Sequence, residues 1–468
     1  MREFASPGTI DLPTTGNLTD DVVRQAEQSP ERALLAVPGP DGWTDVTADR
    51  FHDQVRRVAR GLAASGIERG DRVLLLCSTR YEWTLFDYAI WFAGAVSVPV
   101  YVTSSPEQVA GILEDSGAIG AVVESAAHAD LVRKAAGSEP GPRTWCVDGG
   151  AVDDLTRVGA AFTDDELETR RRSATPDTVA TLVYTSGTTG RPQGCMLTHG
   201  NLMAEVRVAV AELDTLFQHD GAGTLLLLPP AHVFARVVQV GAIHAGVRLG
   251  HTGDVRALMQ DLASFRPTFV LAVPRVFEKV FTAISQQAAA DGRGRLFDRA
   301  VETAIAYRRA SDSGRPGPVL RARHAVFERR VYAPMRATLG GRCRYAVSGG
   351  APLGERLTHF FRGAGLTILE GYGLTETTAA VTVNRPDQAK LGSVGRPLGG
   401  VTVRVGDEGE LQVRGPQVFP GYWNAPEATD DVLDDEGWLR TGDLGEIDDE
   451  GFVRVTGRKK EILVTAGG

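Results

Sequence analysis

The chain has 468 residues, 43% of them hydrophobic and 23% charged, which is the composition of a globular protein and not of a disordered or fibrous one. A formal net charge of −9 argues against a nucleic-acid-binding surface, and we read the arginine run 170–172 as a solvated face. The cysteines contain no CxxC pair, so neither a zinc site nor a disulfide framework is expected, and a reducing cytoplasm fits them. They are Cys77, Cys146, Cys195 and Cys343.

No segment reads as a signal peptide or a membrane span. The start of the chain, "MREFASPGTIDLP", lacks an apolar signal core. The best span candidate, "YAIWFAGAVSVPVYV" at 88–102, is shorter than the roughly 20 residues required and contains Pro99. It predicts a buried helix ending near Gly94, followed by a buried strand. We therefore expect a cytoplasmic protein without a transmembrane segment, and peripheral contact with a membrane stays open.

Helices and short apolar runs alternate along most of the chain. Thr47 is a plausible N-cap, and helical spacing of apolar residues then continues to about Gly66, before the strand-like "DRVLLLC". The same pair recurs at 105–125 and 254–274. It recurs again where a helix opening at Pro352 precedes "LTILEGYG". This order predicts an α/β fold with parallel sheets covered on both faces.

The pattern changes near residue 391. "GVTVRVGDEGELQVRG" and "GDLGEIDDEGFVRVTGR" alternate in strand fashion around acidic-glycine turns, which predicts hairpins of a small β subdomain. We expect one large domain over 1–459, with 1–390 mainly α/β and 391–459 mainly β. Residues 460–468 end on two glycines after a strand-like run, and they are expected to be a hinge and the start of a further domain.

The stretch "YTSGTTGRPQGCMLT" at 184–198 combines glycines with hydroxyl residues, a composition suited to holding an anion. It matches neither the P-loop nor the Rossmann fingerprint, and the expected lysine position holds Gln193. We predict a turn between the strand "VATLVYTSG" and a helix capped near Thr198 or Asn201, with free amides at a phosphate. Taken alone, such a stretch is more often a simple connector.

Two more glycine turns, "SGGAPL" at 348–353 and "EGYGLTET" at 370–377, also follow apparent strands. Loops beyond the carboxyl ends of parallel strands line one crevice, so all three turns are expected around one polyanionic ligand. Asp443 and Arg458 of the β subdomain would close over it.

The ordered set of motifs resembles the large N-terminal domain of the adenylate-forming superfamily, over essentially the whole chain. The matching segments are "YTSGTTGRPQG", "LPPAHVFAR", "VPRVFEK", "SGGAPL", "EGYGLTET", "GSVGRPL", "GYW", "GWLRTGDLG" and "GRKKEILVTAGG". Their wording is closest to bacterial long-chain fatty acyl-CoA ligases of the actinobacterial type. The resemblance implies ATP-dependent activation of a fatty acid to acyl-AMP, release of pyrophosphate and transfer to coenzyme A. It also implies that the family's small C-terminal lid, with its catalytic lysine, is absent from this chain.

The resemblance also implies a role for individual residues. Mg²⁺ would be shared by Thr188 and Glu376, and Thr375 would touch the α-phosphate. Asp443 would accept the ribose hydroxyls with help from Arg458. Lys460 would be the hinge, and His232, with Phe234 nearby, would lie beside the substrate carboxylate. The loop that wraps the phosphates would comprise Thr185, Ser186, Gly187, Thr188, Thr189, Gly190 and Gln193. The adenine slot would comprise Gly349, Gly350, Ala351, Pro352, Glu370, Gly371, Tyr372 and Gly373, with Tyr372 stacking on the base.

Without the resemblance, the same residues have ordinary interpretations. His232 would be a satisfied core histidine, Glu376 a helix cap and Asp443 a turn residue. Arg458 with its two lysine neighbours would be a basic surface run. Only the order of the motifs favours the functional interpretation.

Two alternatives remain for the function. An acyl-AMP ligase that loads a carrier protein would carry an insertion after "GYGLTE", and the short segment 377–398 favours coenzyme A. A degenerate nucleotide- or acyl-binding protein is motivated by Gln193, since losing a cation beside pyrophosphate should cost about 1–3 kcal/mol.

Overall fold

The computed structural model describes residues 1–8, 10–40, 42–137, 141–186, 192–254 and 256–459, without the Ser186 side chain. Residues 460–468, with the expected hinge Lys460, lie outside this range. The helices are α1 (Asp20–Gln28), α2 (Ala48–Ala64), α3 (Tyr81–Phe92), α4 (Pro106–Ser116), α5 (Ala126–Ala136), α6 (Ala151–Val158), α7 (Asp164–Arg171), α8 (His199–Glu212), α9 (Asp214–Phe217), α10 (Val233–Ala245), α11 (Leu258–Phe265), α12 (Pro274–Ala290), α13 (Gly294–Asp312), α14 (Pro318–Phe327), α15 (Ala333–Thr338), α16 (Glu355–Gly363) and α17 (Pro426–Val432).

The strands form three sheets. They are β1 (Glu3–Ala5), β2 (Ala33–Gly39), β3 (Gly42–Thr47), β4 (Arg72–Leu76), β5 (Val96–Pro99), β6 (Gly120–Val123), β7 (Arg143–Cys146), β8 (Val179–Ser186), β9 (Pro192–Thr198), β10 (Gly223–Leu226), β11 (Arg248–His251), β12 (Phe269–Ala272), β13 (Tyr345–Ser348), β14 (Thr367–Tyr372), β15 (Thr382–Val383), β16 (Arg396–Pro397), β17 (Thr402–Val405), β18 (Glu410–Arg414), β19 (Leu439–Ile447) and β20 (Val453–Arg458).

Two of the sheets are mainly parallel, which confirms the α/β fold class. Within the described residues, one has the order β16-β15-β14-β13-β12-β10-β11-β2-β3 and is parallel from β14 to β2. The other has the order β7-β6-β4-β5-β8-β9, with only the β8–β9 pair antiparallel. The predicted small β sheet is antiparallel, in the order β1-β17-β18-β19-β20.

The small sheet contains one strand from the opposite end of the chain. Phe4 of β1 pairs with Val403 of β17, although almost 400 residues of sequence separate them. No pattern in the sequence indicated this pairing. The domain boundary at residue 390 stays a prediction. Two strands cross it: β1 precedes residue 390 but belongs to the small sheet, and β16 follows residue 390 but belongs to the nine-stranded sheet.

The apolar segment at 88–102 folds as predicted. Helix α3 ends at Phe92, Gly94 has a φ of 76°, and β5 follows with every residue buried. Thr47 caps α2 by accepting a hydrogen bond from the amide of Arg50. No helix in the described part of the chain is long and apolar enough to cross a membrane.

One helix begins later than predicted. We expected Pro352 to open α16, but the helix starts at Glu355 with Gly354 as its N-cap. The amide of Leu353 donates to the Glu370 carboxylate at 3.2 Å, so the segment before the helix is held against β14 instead of coiling.

The arginine run 170–172 is also not a uniformly solvated face, because Arg171 is buried. Its guanidinium forms ion pairs with Asp20 and Glu168 and donates to the hydroxyl of Thr19 at 2.9 Å. A buried charge requires such partners, and the three consecutive arginines in the sequence do not show which of them has partners.

A buried ion pair joins the helices of the two parallel sheets. Arg236 of α10 and Asp87 of α3 are both fully buried, with Nη2 and Oδ1 3.0 Å apart. Gln239 donates to the other carboxylate oxygen at 2.9 Å. The guanidinium carbon lies 5.1 and 5.2 Å from the ring centroids of Trp83 and Trp91. This cluster fixes α10, which carries His232 at its N-terminus.

Candidate active site

The glycine and threonine stretch belongs to a β-hairpin. Strands β8 and β9 are antiparallel, with Thr185 opposite Gln193 and Ser186 opposite Pro192. The prediction that this turn leads directly into a helix is therefore wrong, because β9 intervenes before α8 begins at His199. Cys195 and Leu197 alternate into the core as strand residues do. Of the two predicted cap residues, Thr198 is the N-cap of α8, and its capping box with Asn201 fixes where the helix starts.

Part of the predicted phosphate-binding set lies outside the described residues. This applies to Gly187, Thr188, Thr189 and Gly190 and to the Ser186 side chain, and the predicted hinge Lys460 lies outside the described residues as well. Their roles stay predictions. Of the same set, Thr185 and Gln193 are described, and both are half-buried across the hairpin from each other.

The three glycine turns do not line the edge of a single sheet, contrary to expectation. The turns at 348–353 and 370–377 follow β13 and β14, which are parallel neighbours in the nine-stranded sheet. The hairpin belongs to the six-stranded sheet. Its composition resembles that of the other two turns, but strand order is set by long-range pairing that composition does not encode.

A segment around Tyr422 brings the hairpin and the third turn together. Met196 and Gly194 of β9 exchange backbone hydrogen bonds with Gly421 and Trp423, at 3.1 and 2.8 Å. The Tyr422 hydroxyl donates to Glu376 Oε1 at 2.7 Å. The "GYW" motif is part of the resemblance, but no role was predicted for it. Glu376 is thus a half-buried carboxylate beside the hairpin and not a helix cap.

The second turn packs against α10 and β14. A methyl group at Gly349 would lie 3.6 Å from Cε1 of Phe234, and Gly350 has a φ of 80°. Glu370 holds this turn through the Leu353 amide, and burial raises the pKa of its carboxyl. Ala351 and Pro352 are exposed, so they are accessible to a ligand.

The third turn is tightly constrained around Gly373. A Cβ at Gly373 would lie 1.4 Å from the carbonyl oxygen of Ala379, so no other residue fits without moving the backbone. A Cβ at Gly371 would lie 3.0 Å from the carbonyl oxygen of Thr382. Thr378 and Ala379 both have positive φ, 55° and 97°, which side-chain-bearing residues rarely adopt. Thr375, half-buried, begins the short 3₁₀ turn that also carries Glu376.

Three of the predicted nucleotide-binding residues are in contact. The Tyr372 hydroxyl donates to Asp443 Oδ2 at 2.8 Å, and Arg458 Nε lies 3.3 Å from Asp443 Oδ1. Asp443 and Arg458 are cross-strand partners on β19 and β20, so Asp443 is a strand residue and not a turn residue. Burial and the Asp443 carboxylate raise the pKa of Tyr372. Tyr372 is therefore neutral and able to donate its proton in this contact.

His232 is the N-cap of α10 and is exposed, so the core-histidine interpretation is wrong. Its Nδ1 accepts the amide hydrogen of Phe234 at 3.2 Å. Partial desolvation lowers its pKa, which keeps the ring neutral at physiological pH. Because Nδ1 accepts, the proton of the neutral ring is on Nε2, which can donate to a carboxylate.

A buried carboxyl group that the sequence did not single out supports the third turn. Glu205 of α8 accepts the amide hydrogen of Ala380 on Oε1 at 3.1 Å, directly after the strained pair of residues. Burial raises its pKa well above the ordinary value of 4.5. No local pattern indicated this contact, since 175 residues separate the partners.

We expect the stability of Glu205→Gln, relative to that of the wild type, to increase as the pH rises. The unfolded carboxyl loses its proton near the ordinary value of 4.5, whereas the folded one keeps it, so the native state loses stability with increasing pH above that value. Glutamine has no such proton. Relative to the wild type, the free energy of unfolding of the variant should rise by up to about 1.4 kcal/mol per pH unit.

Urea unfolding of both proteins between about pH 5 and about pH 8 measures this difference. The same exchange at the exposed Glu114 of α4 controls for the general loss of a carboxyl group. A constant difference between wild type and Glu205→Gln across this range would contradict the prediction.

The side chains of the described residues fit a magnesium ion whose ligands come mainly from a bound phosphate compound and water. The described residues contain no cluster of three or more His, Cys, Asp or Glu side chains able to hold a metal. Mg²⁺ typically takes one or two protein carboxylates and completes its octahedron with phosphate oxygens and water. Glu376 is a half-buried carboxylate whose Oε1 accepts the Tyr422 hydroxyl, so it could supply one such ligand.

Comparison with known proteins extends over the whole chain. A family model described as "AMP-binding enzyme" matches residues 22–423. The long-chain-fatty-acid–CoA ligase FadD15 of Mycobacterium tuberculosis is 47% identical, with 100% of this chain and 78% of that protein covered. The peroxisomal long chain acyl-CoA synthetase 7 of Arabidopsis thaliana is 31% identical, with 98% and 69% covered. The N-terminal domain of FACL13 from M. tuberculosis superposes with a TM-score of 0.71 at 25% identity, over 94% of this chain and 99% of that one.

Proposed function

The chain belongs to the AMP-binding enzyme family, and on this premise we propose that it activates long-chain fatty acids as a fatty acid–CoA ligase. In the proposed reaction, the fatty acid carboxylate attacks the α-phosphate of ATP, pyrophosphate leaves, and the acyl-AMP passes its acyl group to the thiol of coenzyme A. The observation that carries the proposal is the 47% identity, along the whole chain, to a mycobacterial long-chain ligase. A cytoplasmic location is part of the proposal.

The proposed chemistry requires positioning and charge neutralisation more than proton transfer, since two anions must meet in line. Asp443 would accept hydrogen bonds from the ribose hydroxyls. Tyr372 and Arg458 contact its carboxylate and would hold the two oxygens in position. His232 would donate a hydrogen bond from Nε2 to the fatty acid carboxylate. Glu376, with Thr188, would hold Mg²⁺, which neutralises phosphate charge when bound. The hydroxyls and amides of 185–190 would bind the phosphates, Thr375 the α-phosphate, and the turns at 349–352 and 370–373 the adenine.

ATP–pyrophosphate exchange on the full-length protein, with acids of graded chain length, tests the proposal. Exchange should be fastest with long-chain acids, and product analysis should show acyl-CoA and not an acylated carrier protein. If no acid supports exchange, the protein is not an adenylating enzyme. If short or aromatic acids are clearly preferred, the proposed substrate class is wrong.

We expect Gln193→Lys to lower the KM for ATP or to raise kcat, in either case by about tenfold. Gln193 lies opposite Thr185 next to the proposed phosphate loop, where a cation would offset the charge of the pyrophosphate group. Gln193→Met, which removes the amide without adding charge, is the matched control. Equal kinetic constants for wild type and Gln193→Lys would mean that the glutamine is a neutral replacement.

A further inference from the structure

Helix α14 exposes apolar side chains that no other part of the described chain covers. Val319 is 73% exposed and Val326 is 51% exposed, and Val319 is the most exposed large hydrophobic residue among those described. Ala322 lies between them at helical spacing and is also exposed. Positions i, i+3 and i+7 share one face of a helix, so the three residues form an outward apolar stripe.

The opposite face of the same helix is firmly attached to the protein. Phe327 is buried, and the ring of His324 stacks on Tyr307 of α13 with centroids 3.9 Å apart. His324 Nε2 also lies 2.7 Å from the carbonyl oxygen of Gly363. The stripe is therefore a fixed surface feature of a well-packed helix.

The segment that carries the stripe is rich in positive charge. Within 315–330, Glu328 is the only acidic residue, and it pairs with Arg336. The arginines of the same segment are all exposed: Arg315, Arg321, Arg323, Arg329 and Arg330. The whole chain, in contrast, has a formal net charge of −9. This region is thus a local cationic surface on an acidic protein.

From this placement we propose that α14 docks the protein onto an anionic lipid surface. The valine stripe would enter the boundary between headgroups and acyl chains, and the arginines would contact lipid phosphates, as interfacial amphipathic helices do. A second copy of the chain that docked through the same helix would bring its own arginines against these arginines. A nucleic acid would use the arginines but would leave the valine stripe exposed to water. The proposal does not depend on the proposed function, since it concerns binding alone.

Flotation of the full chain with lipid vesicles tests this proposal. Vesicles of phosphatidylcholine with about one third phosphatidylglycerol should bind at least about tenfold more protein than pure phosphatidylcholine, and high salt should remove most of the gain. Val319→Ser combined with Val326→Ser should reduce binding by about fivefold or more, as should Arg321→Gln combined with Arg329→Gln. All four positions are exposed, so the melting temperatures should be unchanged.

Val158→Ser is the matched control, since Val158 is 47% exposed on α6, whose neighbouring side chains include Asp153 and Asp154. Its vesicle binding should equal that of the wild type. Absence of wild-type binding, equal binding to both vesicle types, or full binding by both double variants would overturn the proposal. A change of sedimentation coefficient in the valine variant with unchanged vesicle binding would assign the stripe to self-association instead. Loss of DNA binding alone in the arginine variant would assign the surface to nucleic acid.

Discussion

Replacing Glu376 by glutamine is expected to lower the kcat of ATP–pyrophosphate exchange by about 100-fold or more while leaving the fold intact. Glutamine keeps the shape of the side chain and can still accept the hydrogen bond of the Tyr422 hydroxyl. It lacks the negative charge that Glu376 would contribute to a magnesium site. The loss should therefore appear in catalysis and in the apparent affinity for magnesium, and not in the melting temperature.

Tyr422→Phe separates the charge of Glu376 from its orientation. The phenylalanine variant keeps the carboxylate but removes the 2.7 Å hydrogen bond to it. A hydrogen bond to a charged group contributes about 1.5–3 kcal/mol. Because this bond acts on catalysis only through Glu376, we expect a loss near the lower end of that range, about tenfold, which is smaller than that of Glu376→Gln. If Glu376→Gln matched the wild type at saturating magnesium and ATP, Glu376 would have no role in the proposed reaction.

Asp87→Ala is expected to destabilise the protein by about 3–5 kcal/mol, because it leaves the Arg236 guanidinium buried without its counter-charge. Both side chains of the pair are fully buried, so water cannot replace the lost carboxylate. The rings of Trp83 and Trp91 would offset only part of the cost. The measurement is the urea midpoint and melting temperature of the variant against the wild type.

Two further variants test the cause of that loss. Asp53→Ala breaks the ion pair with Arg57, in which both side chains are about half exposed, and should cost less than about 1 kcal/mol. Replacing Asp87 by leucine and Arg236 by methionine together should restore most of the stability, since no unpaired charge remains. If Asp87→Ala unfolded at the same urea concentration as the wild type, the buried pair would not stabilise the fold.

The sequence predicted elements whose formation is decided locally. The helix and strand around Gly94 were predictable because a glycine interrupts an apolar run, and in the structure Gly94 has a φ of 76°. The hairpin β8–β9 was not, because a segment with proline and glycine reads as a turn. Its strand character depends on pairing with β8 and on backbone bonds to residues 421 and 423.

The candidate site divides in the same way. Motif order brought Tyr372, Asp443 and Arg458 into one hypothesis, and they are in contact in the structure. The supports of the site, Tyr422 and Glu205, act over 46 and 175 residues of sequence, respectively. No local pattern records such distances. Glu370 likewise supports a turn only because the amide of Leu353, 17 residues earlier, donates to its carboxylate.

The pairing of β1 with β17 has a consequence for biosynthesis. A ribosome makes β1 first, but its partner strand emerges only after nearly 400 further residues have been translated. Until then, the first strand exposes unpaired amide and carbonyl groups while the parallel sheets are already able to fold. The small sheet that carries Asp443 can therefore be completed only after β17 has been synthesised. Chaperone dependence during synthesis should concentrate on this late step, and shortening β1 should slow it.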